Sequence, residues 1–445
     1  MITLLLTLIN VFLLFTGIYT IVKRVSAGDS KPLLLLSSVV ILFIVISLFY
    51  FPMLALNQSF ITLQLLILII NLAHIYFTKT TLYDFFKYRS FSSVNLNCFW
   101  ALGAVLFLTV YFILFASKYG SWDAWAIWNL HAKLISRPEL WHNLFSNNVA
   151  YSHSDYPLML PSIVAFFWNG VGSLSPIIPI LVSYSLLLII PLLIYFSLLN
   201  EGDKLYAYLA LIIFVIDNNY KTIAISQCAD TLLSLLILLT FIQYKNLKTD
   251  AANRVYILGF ICASCAWVKN EGLVFYILFT IGFLLSNYKN IQTLKKYFIG
   301  MIIPALVVVS FKLFFSPAND LISANNKQLF SLVTVLSDTG RYLTIFKFGI
   351  NTLISNYMPA LILSFVVLTL NRKAFLSFPS IIISSLLVIY FVIYLITPHD
   401  LSWHLSTSLY RLFQQIYPAL IYLLLLSLKN IRLNGFSVAH NTGNR

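Results

Sequence analysis

A long series of apolar runs, most of them near the length that a helix needs to cross a bilayer, constrains this chain most strongly. Backbone polar groups find no partner in lipid, so such runs cross a membrane as helices. Only 9% of the residues are charged, against about a quarter in soluble proteins. The sequence therefore predicts an all-α polytopic membrane protein with about 13 transmembrane helices. The runs lie at about 2–22, 32–52, 60–78, 97–117, 176–199, 205–217, 230–244, 255–268, 273–287, 298–315, 351–370, 380–396 and 411–428.

The distribution of positive charge predicts how the chain is threaded. A net charge of +14 would suggest nucleic-acid binding in a soluble protein, but here most Lys and Arg residues lie in short connectors between the apolar runs. We therefore predict no nucleic-acid partner. Basic connectors are typical of the cytoplasmic side, which places 23–31, 79–96 and the C-terminal tail inside the cell. The long polar segment 121–161 then lies outside.

The apolar segment 157–170 does not fit this alternation. It has about 14 residues, which is short for a span, and counting it as a crossing would place the later basic connectors outside. We predict a re-entrant or interfacial helix here. A true crossing is the alternative.

Polar motifs collect on the predicted outer side. Acidic residues at the ends of spans are costly unless they are paired or functional, so this convergence predicts an outward-facing active site. The motifs are Trp-Asp-Ala-Trp (122–125), His-Ser-Asp-Tyr-Pro (153–157), Ser-Gln-Cys-Ala-Asp (226–230), Lys-Asn-Glu-Gly (269–272), Thr-Pro-His-Asp-Leu-Ser-Trp-His (397–404) and Tyr-Arg (410–411).

Asp123, between Trp122 and Trp125, is the candidate catalytic base. Aromatic side chains exclude water, stack on sugar rings and raise the pKa of a carboxyl group, so this setting suits a general base. In the alternative interpretation, Asp123 caps a helix that starts at Ala124, and the tryptophans form an aromatic belt at the membrane interface.

Asp155 is the candidate second carboxylate. It precedes a Tyr-Pro pair, so it could instead cap the helix that follows. His153 and Asp155 have a spacing that is compatible with metal binding, but no dense set of ligands surrounds them. We predict neither a bound metal nor a cofactor.

Two basic residues on the outer side are candidates for holding a phosphate. Arg411 departs from the rule that places positive charge in the cytoplasm, so it requires an anionic partner. Lys269 could hold a phosphate while Glu271 orients a neighbour. Alternatively, Lys269 and Glu271 pair with each other in a turn.

Four further residues are candidates for supporting roles. Asp230 opens a helix and could serve only as its cap. His399, Asp400 and His404 lie just before Arg411 and could complete a headgroup site. In the alternative interpretation these three belong to a solvated loop.

These motifs together resemble the GT-C superfamily of integral-membrane glycosyltransferases, which includes protein O-mannosyltransferases and lipid A aminoarabinose transferases. The similarity consists of an Asp shortly after a span in a large outer loop, a Tyr-Pro that opens the next helix, the Lys-Asn-Glu-Gly turn and the Tyr-Arg motif, and it covers roughly 97–428. There are two departures. Ala124 follows Asp123 where many members have Glu, which leaves Asp155 as a stand-in, and the loop follows the fourth span rather than the first.

The resemblance implies a GT-C-like fold and transfer of a sugar from a polyprenyl-phosphate donor to a lipid, glycan or protein acceptor. Asp123 would act as the general base without a metal, and Lys269, Arg411 and His404 would bind the donor phosphate. The site would face the periplasm or the exterior of a bacterial cytoplasmic membrane. Residues 97–433 would form the catalytic module with an outer loop at 118–170, between a three-span unit at 1–96 and a tail at 434–445.

Two other classes of protein fit parts of the pattern. In a transporter or flippase of a lipid-linked anionic glycan, the same basic residues would bind a headgroup and release it. No inverted repeat is visible, which argues against this class. A non-catalytic scaffold subunit fits the composition but leaves the outer polar cluster unexplained.

Overall fold

The computed structural model describes residues 2–78, 96–248, 253–318 and 336–442, and every regular element within these ranges is a helix. The prediction of an all-α protein is confirmed for these residues. The predicted basic connector 79–96 lies outside them except for its last residue. Residues 319–335 and the last three residues of the predicted tail also lie outside.

The first part of the chain forms four long apolar helices followed by a polar loop. Short helices fill this loop. The long helices are α1 (Ile2–Val25), α2 (Lys31–Ala55), α3 (Phe60–Thr78) and α4 (Leu96–Phe115). The loop contains a π-helix at Ala124–Trp128, α5 at Asn129–Ile135 and 3-10 helices at Trp141–Phe145 and Asn147–Ser152.

Twelve further α-helices follow the loop. Two consecutive pairs are sharply bent, by 111° between α9 and α10 and by 100° between α14 and α15. The helices are α6 (Met159–Val171), α7 (Ile177–Asn200), α8 (Lys204–Ile216), α9 (Asn218–Ala224), α10 (Ala229–Lys245), α11 (Arg254–Cys265), α12 (Asn270–Asn287), α13 (Ile291–Phe314), α14 (Thr339–Asn356), α15 (Met358–Leu370), α16 (Phe378–Ile396) and α17 (Leu401–Thr442).

The lengths and hydropathy of these helices show a multi-pass integral membrane protein. Nine described helices are long and apolar enough to cross a membrane, or up to eleven if each bent pair is one span. The expected number of about 13 also counted 205–217 and 255–268, which fold as α8, with 13 residues, and α11, with 12. At about 1.5 Å per residue, both are shorter than a hydrocarbon core of about 30 Å.

The segment 157–170 folds as α6, whose 13 residues agree with a helix too short to span. Ten of these residues are buried, and the helix packs against α1, α2, α5 and α7. It therefore lies inside the protein rather than at an interface with lipid. The Met159 N–H donates to the Trp267 carbonyl at 3.1 Å, which ties the start of α6 to the turn between α11 and α12.

The predicted N-terminal three-span unit packs into the rest of the bundle through α2. This helix contacts α6, α7 and α13, and the Tyr50 hydroxyl donates to the Ile135 carbonyl at 3.0 Å. The flanking helices α1 and α3 are more exposed and contact each other through polar groups. The Asn10 amide donates to the Gln64 side chain at 2.7 Å. Such polar contacts hold helices together within a membrane.

Two glycines allow α11 and α13 to approach closely. A Cβ at Gly259 would lie 2.3 Å from the Tyr297 carbonyl oxygen, and a Cβ at Gly300 would lie 2.1 Å from the Tyr256 carbonyl oxygen. Small residues at helix contacts permit close packing of this kind in membranes. The contact holds the first half of α11 against α13.

Basic connectors meet at one end of the bundle, which we call the inner end. The Arg254 guanidinium donates to both carboxylate oxygens of Asp29 at 2.9 and 3.0 Å, and Glu201 pairs with Lys245 at 2.7 Å and with Lys429. Burial raises the pKa of Glu201, but the two lysines outweigh it and hold the pKa below its usual value. The outer motifs lie at the opposite end, because Lys429 is about 27 Å along α17 from Arg411.

Candidate functional site

The start of the outer loop is held against the turn between α9 and α10. Gly120 has a φ of +71°, and a Cβ there would lie 2.6 Å from the Ser226 carbonyl oxygen, so glycine is required for this approach. The Ser121 N–H donates to the same carbonyl at 3.1 Å. The Gln227 side chain donates to the Ser117 carbonyl at 3.0 Å. These contacts fix the position of Asp123 beside the start of α10.

Asp123 directly precedes the π-helix Ala124–Trp128. Single π-helical turns occur frequently at functional sites. The Asp123 side chain makes no capping hydrogen bond, so the capping alternative is excluded. Its carboxylate instead forms an ion pair with the Arg411 guanidinium of α17, and the two side chains are 22% and 21% exposed.

The three tryptophans around Asp123 have different surroundings. Trp122 and Trp125 are 56% and 53% exposed and meet edge to face, with ring centroids 5.9 Å apart. Trp128 is buried and stacks on Tyr156 at 5.6 Å, and the His153 ring also stacks on Tyr156, at 5.1 Å. Only Trp122 and Trp125 are therefore available to a ligand or to the membrane surface.

Gly272 brings the Lys-Asn-Glu-Gly turn against the end of α11. A Cβ at Gly272 would lie 1.9 Å from the Cys265 carbonyl oxygen, so any larger residue would displace a helix. This contact places the Lys269 side chain beneath the outer loop, where it is 5% exposed. Its Nζ lies 6.0 Å from the ring centroid of Trp128 and 5.6 Å from that of Tyr156.

Five charged side chains from four parts of the chain form a row of alternating sign, which we call the charged row. In order they are Asp123, Arg411, Asp230, Lys269 and Glu271. Arg411 pairs with Asp123 and also interacts electrostatically with Asp230. Lys269 Nζ lies 2.9 Å from Asp230 Oδ1 and 3.2 Å from Glu271 Oε1. The structure thus brings five of the predicted site residues together.

Both cations of the charged row, Arg411 and Lys269, are already paired with carboxylates. Burial lowers the pKa of Lys269, but the charges of Asp230 and Glu271 outweigh it and raise the pKa well above its usual value. Lys269 is therefore protonated at neutral pH. Three carboxylates against two cations give the row a formal charge of −1. This charge therefore favours an anion that replaces a carboxylate at one of the cations over one that is added beside it.

Asp230 is fully buried and connects the charged row to α16. It does not cap α10, because the N-cap position is Cys228. Its Oδ1 accepts from Gln415 Nε2 at 2.7 Å, and Gln415 Oε1 accepts from the Tyr390 hydroxyl at 2.8 Å. Sequence reasoning missed Gln415 and Tyr390. The spacing of four between Arg411 and Gln415 places both on one face of α17 and was the available signal.

Two buried carboxylate oxygens of the row have no hydrogen-bond partner among the described residues. They are Asp230 Oδ2 and Glu271 Oε2. An unsatisfied buried acceptor costs about 1–3 kcal/mol. Both oxygens could accept hydrogen bonds from a ligand that carries hydroxyl or ammonium groups.

Asp155 lies beside the charged row rather than within it. Its Oδ2 accepts from the Asn270 amide at 2.6 Å, while Lys312 Nζ donates to Asn270 Oδ1 at 2.8 Å and to the Asp155 carbonyl at 2.6 Å. Asp155 does not cap α6, whose N-cap residue is Leu158. Sequence reasoning also missed Lys312, because a single lysine near the end of an apolar run has no motif around it.

The predicted headgroup residues form a separate cluster at the outer start of α17. The Asp400 carboxylate caps this helix by accepting from the Trp403 N–H at 2.8 Å. His404 Nδ1 lies 2.9 Å from the Thr397 hydroxyl, and the rings of His399 and His404 are 5.7 Å apart. His399 and Asp400 are exposed, so these residues lie at the outer rim, about three turns from Arg411.

An apolar groove of about 250 Å³ lies between α14, α16 and α17. It opens toward lipid, because Phe346 and Ile350 in its wall are 64% and 41% exposed. Its wall also contains four tyrosine rings whose hydroxyls bond to groups of the protein. Tyr357 bonds to the Tyr410 carbonyl, Tyr390 to Gln415, Tyr394 to Ser408 and Tyr417 to Asp217.

Metal ligands are not clustered in the part of the chain that the structure describes: no group of three or more His, Cys, Asp or Glu there could hold a metal ion. His131 of α5 is fully buried, and its Nε2 lies 3.1 Å from the Ser152 hydroxyl. Burial lowers the pKa of His131 to about 3, so the ring is neutral.

Comparison with known proteins gives no relative for this chain. No family model, no curated protein and no solved structure matches it. The resemblance to the GT-C superfamily therefore stays a prediction. What the helices show is that the chain is an all-helical, multi-pass integral membrane protein.

Proposed function

We propose that this chain is a glycosyltransferase that moves a sugar from a polyprenyl-phosphate donor to an acceptor hydroxyl, on the periplasmic or extracellular side of a bacterial cytoplasmic membrane. The observation that supports this function best is the contact between Asp123 and Arg411, which are 288 positions apart in the sequence. It places a carboxylate base beside a cation that suits phosphate, at the outer end of a buried charged row.

When the donor binds, Arg411 changes its partner from the Asp123 carboxylate to the donor phosphate. Because the charged row has a formal charge of −1, the donor phosphate replaces the Asp123 carboxylate at the guanidinium. Arg411 then holds the phosphate through paired hydrogen bonds. Asp123 is released next to the reacting carbon and is free to accept a proton.

The transfer step is a single displacement. The acceptor oxygen forms a bond to the anomeric carbon on the face opposite the phosphate, while the bond between that carbon and the phosphate oxygen breaks. The electron pair leaves with the phosphate, and the acceptor proton moves to Asp123. Arg411 and Lys269 stabilise the charge that grows on the phosphate. This reaction inverts the configuration at the anomeric carbon.

The remaining predicted residues surround this reaction centre. Trp122 and Trp125 stack on a sugar ring at the exposed edge of the site. Asp155 remains the candidate second carboxylate, and the His153 ring stacks on the neighbouring Tyr156. His404, with His399 and Asp400, contributes the outer rim of the donor headgroup site. These roles extend the proposal.

The groove between α14, α16 and α17 is the proposed binding site for the prenyl chain. It is apolar, it opens toward lipid, and Tyr390 in its wall is linked through Gln415 to Asp230 of the charged row. A lipid chain in the groove therefore lies with its phosphate end toward the outer end of the bundle.

Filling the groove tests this assignment. Gly349 lines it, and a Cβ there meets no atom within 4 Å, so Gly349→Leu adds bulk without a clash. We expect KM for a long-chain donor to rise about tenfold, because part of the chain is excluded, with little change for a donor of two isoprene units. Gly103→Leu on α4 is the control, since Gly103 also has open space around it. An equal rise in KM for both donor lengths would contradict the assignment.

The proposed function itself is tested with purified protein in detergent. Radiolabelled polyprenyl-phosphate sugars are mixed with crude lipid, glycan and protein acceptors, and the anomeric configuration of the product is determined. We expect transfer with inversion. Transfer with retention, or no transfer from a donor that nevertheless binds, would contradict this mechanism.

A transporter or flippase of a lipid-linked anionic glycan is the second candidate. The two sharply bent helix pairs favour it, because broken helices are typical of transporters. In this candidate, two ion pairs would open in turn to give access from either side: Asp29–Arg254 at the inner end and Asp123–Arg411 at the outer end. Movement of a labelled lipid-linked glycan across vesicles, without any transfer of its sugar, would support this candidate instead.

A further inference from the structure

The helix α17 presents three side-chain donors to three aspartates of other elements. Arg411 pairs with Asp123 of the outer loop, and Gln415 donates to Asp230 of α10 at 2.7 Å. Deeper in the bundle, the Tyr417 hydroxyl donates to Asp217 at the start of α9. The Asp123–Arg411 contact is the outermost of the three. Both of these side chains are partly exposed to solvent.

The outer segment of α17 is attached to the helices that form the groove. The Tyr357 hydroxyl donates to the Tyr410 carbonyl, and the Tyr394 hydroxyl lies 2.6 Å from that of Ser408. Pro418 interrupts the backbone hydrogen bonds of α17 just below this segment, and such positions bend most readily. The loop around Asp123 is attached to a different part of the protein, the turn at 226–228.

We propose that the Asp123–Arg411 pair is a latch between the outer loop and the outer segment of α17, and that a phosphate anion opens it by taking Arg411 from Asp123. The net charge of the row favours an exchange of this kind, since each cation in the row already pairs with a carboxylate. The identity of the anion as a lipid phosphate rests on the proposed function. The existence of the latch does not.

Cys228 is a native reporter for the latch. It is 3% exposed, its Sγ lies 3.1 Å from the Ser121 hydroxyl, and it interacts electrostatically with both Arg411 and Asp123. The thiol therefore lies beneath the place where the loop meets α17. Separation of the two would expose it to a reagent from the outer side.

The experiment measures the rate at which a membrane-impermeant maleimide modifies Cys228 in the full chain. Cys98, the exposed cysteine at the inner end of α4, is replaced by Ser first. We expect Arg411→Gln and Asp123→Asn to increase the rate about tenfold, because each removes the ion pair and so raises the population of the open form. Glu201→Gln removes an ion-paired carboxylate at the inner end and should leave the rate unchanged.

Labelling in the presence of added ligands then shows which chemical group opens the latch. We expect polyprenyl phosphate to accelerate labelling of the protein with an intact pair and polyprenol to have no effect. Acceleration by inorganic phosphate at equal concentration would show that the headgroup alone suffices, and no effect of inorganic phosphate would show that the lipid chain contributes. If polyprenol and polyprenyl phosphate accelerated the labelling of Cys228 equally, the proposal that a phosphate displaces Asp123 from Arg411 would be wrong.

Unfolding is monitored in the same samples through Cys262 and Cys265, which are fully buried within α11. If a single variant labels there, Arg411→Lys decides, because it keeps a cation beside both Asp123 and Asp230 and should label about as slowly as the wild type. Unchanged labelling of Cys228 in folded single variants would overturn the latch. The labelling experiment does not depend on sugar transfer. The latch can therefore be supported or refuted independently of the proposed glycosyltransferase activity.

Discussion

Asp123→Asn is expected to reduce kcat for sugar transfer by about 10²–10⁴-fold, because the variant lacks the base that accepts the acceptor proton. The same change should leave donor binding intact or strengthen it. Asn carries no charge, so the donor phosphate no longer competes with a carboxylate for Arg411. A fall in kcat together with an unchanged or lower KM is therefore the expected signature. Initial rates over a range of donor concentrations measure both constants.

Two further variants distinguish a role of Asp123 as the base from a role in donor binding. Asp155→Asn removes a carboxylate that lies beside the charged row, and it should reduce kcat less than Asp123→Asn. Arg411→Gln should raise KM for the donor, because it removes the cation that holds the phosphate. Normal transfer by Asp123→Asn would move the base elsewhere, with Asp155 as the next candidate. A rise in KM without loss of kcat would assign Asp123 to binding.

The sequence was sufficient for an all-helical membrane protein and for naming the five residues of the charged row. Apolar runs of span length predict helices because lipid leaves the backbone no alternative, and the structure contains them. The outer motifs predicted Asp123, Asp230, Lys269, Glu271 and Arg411, since charges at span ends demand partners. These five residues do converge in one row.

The pairing within the site could not be predicted from the sequence. Nothing in the local pattern states that the partner of Asp123 lies in α17, because that contact depends on how all the intervening helices pack. Gln415 and Tyr390 escaped notice because they are uncharged residues within apolar runs, and only their contacts with Asp230 reveal a role. Fewer helices of spanning length than the expected number of about 13 occur among the described residues, because apolar composition does not distinguish a short interior helix, such as α11, from a crossing.

Lys269→Met is expected to destabilise the protein by about 3–5 kcal/mol, because it leaves the fully buried Asp230 without its ionic partner. Gln415 would still donate to that carboxylate, but one neutral hydrogen bond does not compensate for a lost charge. Thermal unfolding in detergent measures the effect. Lys295→Met on α13 is the control, since Lys295 is exposed and its replacement should change stability by less than about 0.5 kcal/mol.

The double variant Asp230→Leu with Lys269→Met separates the stability of the pair from its function. Removing both partners leaves no unpaired charge between them, so most of the lost stability should return, since apolar residues often replace buried ion pairs at little cost. Glu271 limits this recovery, because its carboxylate also loses Lys269. Transfer should remain absent in both proteins. If Lys269→Met were as stable as the wild type, Asp230 must take up a proton when it is alone, and the formal charge of the row would then remain −1.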